Sequence, residues 1–401
     1  MNLLLNKLQP FSFARLRTLL AGVAPNPAFA AINLSIGEPK HPTPALVTDA
    51  LVGALAGLSV YPPVLGGEAL RAAISRWLEK RYGLPGVDPA TQIIPVNGTK
   101  EALFSFAQVA IDPRADAVAV FPNPCYQVYE GAAILAGATP HYLEQSRANR
   151  FRSQWREVPE AVWKRTQLVF TCSPGNPAGS VMDLDEWREL FALSDRYGFA
   201  IASDECYSEI YPDESAPPLG ALQAARALGR DGFPRLLMFS SLSKRSNAPG
   251  LRSGFVAGDA GLLRPFVHYR TYHGCAMSET VQAASLAAWS DEEHVRANRA
   301  MYRAKFDALE PILADVLEIA RPQGGFYFWA RVPGGDDESF VKGLYAQYNV
   351  LALPGSYLAR EAGGTNPGRG YVRLALVDTE AQCIDAARRI RDFCQSTPQR
   401  T

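Results

Sequence analysis

Residues 236–245 read LLMFSSLSKR and change character within a few positions. An unbroken apolar run over 236–239 is followed at once by small hydroxyl side chains and then by Lys244 and Arg245. A short, continuous apolar run is typical of a strand that is buried on both faces of a parallel sheet. In such sheets, ligands bind beyond the carboxyl ends of the strands. The stretch therefore predicts a buried strand that delivers Lys244 to a binding site.

The same pattern, a short apolar run next to a helical stretch, recurs through most of the chain. Apolar runs occupy 93–96, 117–121, 168–171, 199–202, 236–239 and 253–257, and helical patterns occupy 100–111, 126–136 and 184–197. Strands that alternate with helices predict an α/β domain with a mostly parallel central sheet, flanked by helices. We place this large domain at residues 46–294.

The rest of the chain predicts a smaller α+β domain, formed by residues 1–45 and 295–401. A long helical pattern over 290–319 leaves the large domain, and Ser12 is expected to cap a short N-terminal helix. The other predicted elements are strands at 32–36, 326–330 and 371–375, helices at 337–348 and 380–394, and a frayed tail at 397–401.

Composition excludes several classes of protein. The 401 residues include 40 Lys and Arg against 40 Asp and Glu, so no charge surplus points to nucleic acid or an anionic membrane as a partner. No stretch approaches the roughly 20 apolar residues of a membrane span, and the N-terminus does not read as a secretory signal. The six cysteines form no C-x-x-C pair, so we expect free thiols, no metal site and a cytoplasmic protein.

Polar and small residues follow five of the apolar runs. Because the carboxyl ends of parallel strands share one edge of the sheet, these residues are expected to gather there. The stretches are Asn97-Gly98-Thr99-Lys100, Asn123-Pro124-Cys125-Tyr126, Ser173-Pro174-Gly175-Asn176-Pro177, Asp204-Glu205-Cys206-Tyr207 and Ser240-Ser241-Leu242-Ser243-Lys244.

The chemistry of this edge can be sorted by group. Gly98-Thr99 opens a helix, where free N–H groups favour a phosphate, and Ser241, Ser243 and Arg252 could bind the same anion. Asp204 is a carboxylate that needs a cationic partner if it is buried. Lys244 is an amine close to other cations, which lower its pKa. A phosphate, a basic ring nitrogen and an aldehyde that reacts with an amine together describe pyridoxal 5′-phosphate.

The segment 241–254, SLSKRSNAPGLRSG, resembles the lysine segment of class I/II aminotransferases of fold type I. The pattern S-x-S-K with an arginine eight residues later is specific, as is Asn176-Pro177 followed by Asp204 and Tyr207. The resemblance covers essentially the whole chain. It implies a homodimer with shared active sites, in which Tyr61 reaches the phosphate of the partner subunit. It also implies a cis bond between Asn176 and Pro177.

The resemblance assigns roles to the cofactor residues. Lys244 would form the Schiff base and then move the substrate proton. Asp204 would pair with the ring nitrogen, and Asn176 and Tyr207 would bind the 3′-oxygen. Tyr126 would stack on the ring, and the phosphate would be held by Gly98, Thr99, Lys100, Ser241, Ser243 and Arg252.

The substrate residues are also implied by the resemblance. Arg373 would grip the α-carboxylate beside the backbone of Gly37, with Asn176 close by. Several stretches, 34–41, 240–254 and 269–274, resemble succinyldiaminopimelate aminotransferases (EC 2.6.1.17), which act in lysine and diaminopimelate biosynthesis. A substrate with additional carboxylates calls for further cations, and the candidates are Lys40, Arg270 and His273.

Three alternatives stay open. The first is another class I aminotransferase, of the aspartate, alanine, aromatic or LL-diaminopimelate type, since these share the cofactor site. The second is a pyridoxal-phosphate β-lyase, which would release pyruvate and ammonia without a keto-acid acceptor. The third is a regulator or binding module built on the same fold, which the balanced charge disfavours.

Overall fold

The computed structural model describes residues 1–396, so the predicted tail at 397–401 lies outside the described residues. The strands are β1 (Ile32–Asn33), β2 (Ile93–Val96), β3 (Val118–Asn123), β4 (Thr139–Glu144), β5 (Thr166–Cys172), β6 (Ala200–Asp204), β7 (Leu236–Ser241), β8 (Gly254–Gly258), β9 (Tyr327–Arg331), β10 (Val350–Leu351), β11 (Leu353–Pro354) and β12 (Tyr371–Ala375). The helices are α1 (Ser12–Leu19), α2 (Ala45–Gly53), α3 (Glu68–Tyr82), α4 (Thr99–Ala110), α5 (Val128–Leu135), α6 (Glu160–Trp163), α7 (Leu184–Tyr197), α8 (Ala221–Ala227), α9 (Leu242–Arg245), α10 (Ala260–His273), α11 (Glu279–Ser290), α12 (Glu293–Leu313), α13 (Asp337–Tyr348) and α14 (Glu380–Ser396). Short 3-10 helices lie at Leu3–Lys7, Leu55–Ser59, Arg147–Asn149, Trp155–Glu157, Pro249–Leu251, Pro333–Gly335 and Gly355–Tyr357.

A seven-stranded sheet forms the centre of the molecule, in the order β2-β8-β7-β6-β5-β3-β4. All neighbouring pairs from β7 to β4 are parallel, whereas β8 runs antiparallel to both β2 and β7. Strand β7 is buried at every position, as expected for a strand covered on both faces. The predicted α/β fold with a mostly parallel sheet is confirmed.

The direction of β8 decides which residues meet. Because β8 is antiparallel, its first residue, Gly254, pairs with the last residue of β7, Ser241, and with the last residue of β2, Val96. The segment before β8 therefore meets the segments that follow β2 and β7. These segments carry Arg252, Thr99 and Lys244, which are thus brought to one edge of the sheet.

Two smaller sheets lie outside the central one. Strand β12 pairs antiparallel with β9 and β11, and β1 pairs in parallel with β10. An apolar cluster runs through this region, from Leu16 and Leu34 to Ile390 and Phe393. The domain boundaries at residues 45 and 294 stay a prediction.

Two sequence predictions of local structure need correction, and one strand was not predicted. The helix predicted over 290–319 is confirmed in its main part as α12, Glu293–Leu313, but it is shorter at both ends. It begins after Asp291, which is extended and whose carboxylate accepts the backbone N–H of His294 at 2.9 Å in the first turn of α12. Ser12 is the first residue of α1 rather than its cap, and its backbone N–H donates to the Gln127 side chain at 2.6 Å. Strand β4 was not predicted, since it lies at the sheet edge and only one of its residues is fully buried.

Candidate active site

One cavity of about 380 Å³ lies at the carboxyl edge of the central sheet. Most of the residues predicted for the site line it, namely Gly37, Thr99, Lys100, Tyr126, Asn176, Asp204, Tyr207, Ser241, Ser243, Lys244, Arg252 and Arg373. Its other walls include Phe11, Phe13, Ile36, Leu358 and Tyr327. Residues that follow five strands of the large sheet, the segment before β8 and residues from both ends of the chain therefore converge on a single space.

One corner of this cavity collects donors for an anion. Ser241 Oγ donates to Ser243 Oγ at 2.9 Å, and the Ser243 backbone N–H donates to Ser241 Oγ at 3.1 Å. Gly98 precedes helix α4 with φ +84°, and a side chain there would collide with the guanidinium of Arg252. The absence of a Cβ at Gly98 thus lets Arg252 approach the free N–H groups at the start of α4, beside Thr99.

Lys244 lies in the short helix α9, directly after β7, and its ammonium donates to the carbonyl oxygen of Gly37. Burial lowers the pKa of Lys244 to about 8, and the charge of Arg373 acts in the same direction. A lysine with a lowered pKa has a larger share of the neutral amine near neutral pH, and the neutral amine is the nucleophile.

Asp204 ends strand β6 as a buried carboxylate. Tyr129 Oη donates to it at 2.7 Å, and the backbone N–H of Cys206 donates at 3.2 Å. Burial raises the pKa of Asp204, whereas Tyr129 and Lys244 lower it. No salt bridge reaches Asp204 within residues 1–396, so a cation that enters the cavity would find an uncompensated carboxylate.

Arg373, on β12, is buried and held from two sides. Its guanidinium donates to Asn176 Oδ1 at 3.0 Å and to the carbonyl oxygen of Ser35 at 2.8 Å. Its centre lies 4.4 Å from the ring centroid of Tyr327. The Nε–H has no partner among the described residues, so donor capacity remains for a carboxylate in the cavity. The bond between Asn176 and Pro177 is cis, as predicted.

Comparison with known proteins decides the family. Residues 30–390 match the family described as aminotransferase class I and II.

The chain belongs to the class I and II aminotransferases.

Its relatives cover nearly the whole chain. An LL-diaminopimelate aminotransferase of Desulforudis audaxviator is 30% identical over 393 residues, covering 96% of each chain. The crystal structure of an aminotransferase from Neisseria meningitidis is 53% identical, with a TM-score of 0.94, and the match covers 97% of this chain and 99% of that one. A probable N-succinyldiaminopimelate aminotransferase from Thermus thermophilus is 25% identical, with a TM-score of 0.83, over 95% of this chain and 98% of that one.

Class I and II aminotransferases depend on pyridoxal 5′-phosphate, and the cavity of this aminotransferase fits that cofactor. Hydroxyl groups, the start of α4 and the Arg252 guanidinium form a donor set suited to a phosphate. The buried Asp204 lacks a cationic partner and suits a protonated ring nitrogen. Lys244 supplies an amine within the same cavity.

Several residues of this aminotransferase site were not predicted. Tyr129 binds Asp204, although it lies within helix α5 and not at the end of a strand, where the sequence analysis looked for site residues. Tyr327 donates or accepts a hydrogen bond with Tyr207 at 2.8 Å. Phe11 and Phe13 come from the N-terminal segment, whose approach to the cavity depends on contacts more than 100 positions away in sequence, such as Ser12 with Gln127.

The residues predicted to bind the distal part of the substrate do not line the cavity that contains Lys244. Lys40 forms a salt bridge with Asp378, and Arg270 is fully buried in one with Glu101. Neither residue lines the cavity. The prediction for Arg270 was wrong, because its fully buried guanidinium is used in the ion pair with Glu101. The prediction for Lys40, whose side chain is 48% exposed, stays a prediction. His273 lines a neighbouring cavity of about 470 Å³, which also contains Lys100 and Arg252. Tyr61 is fully exposed at 101% and lines neither cavity within this chain.

Arg270 is therefore expected to act on stability rather than on substrate affinity. Arg270→Met should lower the free energy of unfolding by about 3 kcal/mol, because it leaves the partly buried carboxylate of Glu101 without its partner. Urea unfolding measures this loss. The free energy of unfolding that the double variant Arg270→Met/Glu101→Gln loses should be smaller than the sum of the losses of the two single variants. A raised KM for the amino donor without loss of stability would contradict the assignment.

Proposed function

We propose that this aminotransferase transfers the amino group of a diaminopimelate-type amino acid to 2-oxoglutarate, or runs that reaction in reverse. The observation that carries the proposal is the pair of cations in one cavity. Arg373 lines only the cavity with Lys244, whereas Lys100 lines this cavity and the neighbouring one. No carboxylate of residues 1–396 forms a salt bridge with Lys100, so its ammonium is available for a second carboxylate of a long substrate.

The choice between two such substrates rests on the relatives. The sequence resemblance predicted N-succinyl-LL-2,6-diaminopimelate, and the name of the Thermus thermophilus neighbour, at 25% identity, supports it. The curated relatives at 30–31% identity are LL-diaminopimelate aminotransferases, and they favour the free diamino acid. We therefore propose LL-diaminopimelate as the first candidate and the succinylated form as the second.

The apolar part of the same cavity wall suits the carbon chain of either substrate. Phe11, Phe13, Ile36 and Leu358 supply apolar surface, and the ammonium of Lys100 lies 5.2 Å from the ring centroid of Phe11. Methylene groups gain from leaving water for such a surface. Only groups at the ends of the substrate would then need polar partners.

The residues of the site divide the chemistry among them. Bound pyridoxal phosphate supplies an aldehyde for an amine and a ring that withdraws electrons. Lys244 would hold the cofactor and then take and return the proton of the substrate Cα, for which its lowered pKa suits it. Arg373 would orient the α-carboxylate, which fixes the Cα–H bond relative to the ring.

The remaining cofactor residues would orient the ring. The buried carboxylate of Asp204 would keep the ring nitrogen protonated, because an unpaired buried charge favours a cationic partner. Tyr207 and Asn176 would hydrogen-bond the 3′-oxygen, and Tyr126 would stack on the ring. The phosphate would lie among Gly98, Thr99, Ser241, Ser243 and Arg252. Lys100, which the resemblance assigned to the phosphate, is proposed here for the distal carboxylate of the substrate instead.

A homodimer is part of the proposal. Large apolar side chains are exposed together around one short 3-10 helix, at Val52, Leu55, Leu58, Val60 and Tyr61. A contiguous apolar surface on a folded domain is typical of an interface. Tyr61 would there reach the phosphate site of the partner subunit. No helix within residues 1–396 is long and apolar enough to cross a membrane, and a cytoplasmic location stays a prediction.

A substrate screen with a matched variant tests the proposal. LL-diaminopimelate, its N-succinyl derivative, glutamate, aspartate, alanine and phenylalanine are offered as donors with excess keto acid. Lys100→Met should raise KM for the preferred diaminopimelate about 10-fold or more and change KM for alanine little, because only the former has a distal carboxylate. Equal effects on both donors would contradict the role of Lys100. In a separate assay without any keto acid, release of pyruvate and ammonia from a cysteine conjugate, whose thiol leaves from the β-carbon, would identify a β-lyase instead.

A further inference from the structure

The hydroxyl group of Tyr327 lies where the cofactor side and the substrate side of the cavity meet. Tyr327 begins strand β9 and is 4% exposed. Its Oη lies 2.8 Å from the Oη of Tyr207, which follows β6 in the large sheet. Burial raises the pKa of both phenols, so both are neutral hydroxyl groups and one donates to the other.

The ring of Tyr327 makes a second contact. Arg373 pairs across the β9–β12 ladder with Trp329, and Tyr327 pairs with Ala375. Arg373 and Tyr327 are thus diagonal neighbours on one face of the sheet, which places the guanidinium 4.4 Å from the ring centroid. An arginine over an aromatic face is attracted to it and is held in one orientation.

A third contact joins Tyr327 to the glycine beside Lys244. A Cβ at Gly37 would collide with the Tyr327 hydroxyl, so this hydroxyl packs directly against the Gly37 backbone. The carbonyl oxygen of Gly37 in turn accepts a hydrogen bond from the ammonium of Lys244. Tyr327 therefore contacts Tyr207 and Arg373 directly, and it contacts Gly37, whose carbonyl oxygen binds Lys244.

We propose that Tyr327 is a positioning residue that orients Tyr207 through its hydroxyl group and Arg373 through its ring. The inference rests on the proposed function, in which Tyr207 donates its proton to the 3′-oxygen of the cofactor. With that proton directed to the cofactor, Tyr327 is the donor in the hydrogen bond between the two phenols. A hydroxyl that accepts a hydrogen bond is a better donor, because hydrogen bonds in a chain polarise one another.

The hydroxyl and the ring can be separated by two substitutions. Tyr327→Phe removes only the hydroxyl, which weakens the support of the 3′-oxygen anion. The pH at which the absorbance band of the bound cofactor changes should then rise by about 0.5 to 1 unit, the size expected for one uncharged hydrogen bond. Tyr327→Leu removes the ring as well. It should also weaken the binding of glutarate, a dicarboxylate without an amino group, by about 3- to 30-fold.

Two controls distinguish this role from a general effect on packing. Tyr302 is also buried, and its ring stacks on that of Phe326, the residue before Tyr327, with 5.2 Å between the ring centroids. The hydroxyl of Tyr302 has no partner among the described residues. Tyr302→Phe should leave the absorbance change and the glutarate affinity as in the wild type. In a Tyr207→Phe background, Tyr327→Phe should add no further shift, because its hydroxyl acts through Tyr207.

The experiment is a spectrophotometric pH titration of the cofactor-loaded protein, with glutarate binding followed by the same band. The inference would be supported if the pH of the absorbance change shifts for the single variant Tyr327→Phe and glutarate binds more weakly to Tyr327→Leu. An unshifted Tyr327→Phe, or an equal shift in the Tyr207→Phe background, would overturn it while the wild-type band still upholds the proposed function. A wild-type protein without such a band would overturn both.

Discussion

Replacement of Lys244 by alanine should lower transamination by at least about 10⁴-fold, because one amine both attaches the cofactor and moves the substrate proton. Among the described residues, the only other lysine that lines the cavity is Lys100, which also faces the neighbouring cavity. Steady-state turnover with the preferred donor measures the loss. The cofactor's absorbance band at the wild-type position should disappear as well.

The loss should not come from unfolding. Burial lowers the pKa of Lys244 to about 8 in the folded protein from 10.5, so the folded state binds its proton less tightly than the unfolded chain does. This lysine therefore disfavours folding below about pH 8, and the penalty fades as pH rises towards 10.5. We expect the cofactor-free Lys244→Ala protein to unfold at pH 7 with a free energy no lower than that of the wild type. Lys244→Arg retains a cation but no nucleophile and should be equally inactive. Substantial activity in either variant would contradict the assignment.

Replacement of Arg373 by methionine should lower kcat/KM for every α-amino acid by about 10²- to 10⁴-fold. The reason is that a charge-assisted pair in a buried site is worth about 3–5 kcal/mol. Arg373 is 4% exposed, and its carboxylate partner would be shielded from water with it. Kinetics with LL-diaminopimelate and with alanine should show losses of similar size, since both substrates present an α-carboxylate.

A matched variant and a matched substrate control the result. Arg373→Lys keeps the charge but not the planar guanidinium group. Its kcat/KM should lie between those of Arg373→Met and the wild type. Cadaverine, a diamine without any carboxylate, should react slowly with the wild type and no more slowly with Arg373→Met. If Arg373→Met lost as much kcat/KM with cadaverine as with the amino acids, the variant would disturb the cofactor rather than the binding of the α-carboxylate.

The sequence was sufficient to predict the part of the site that depends on the ends of strands. An apolar run such as 236–239 can only be buried, and the hydroxyl groups and the lysine that follow it must then lie at the sheet edge. The same reasoning placed Asp204 and Asn176. Arg252 was assigned to the same anion from its chemistry. The physical cause of its position is the antiparallel direction of β8, which the pattern of residues did not predict.

The residues that could not be predicted reach the site through tertiary packing. Tyr129 and Tyr327 sit in ordinary amphipathic or apolar contexts, and only the fold shows that their hydroxyl groups meet Asp204 and Tyr207. Arg270 illustrates the opposite error. A buried ion pair with Glu101 uses its charge, and a sequence does not show which arginine has a carboxylate nearby. Distal specificity depends on such pairings, so it was the weakest part of the prediction.

The lysine to which the cofactor is attached can be identified by trapping the bond chemically. The cofactor-loaded protein is reduced with borohydride, digested with trypsin and examined by peptide mass spectrometry. Trypsin does not cleave after a modified lysine, so we expect a pyridoxyl group on the peptide of residues 236–245, LLMFSSLSKR, with the added mass on Lys244. A pyridoxyl group on any other lysine, or none on this peptide, would contradict it.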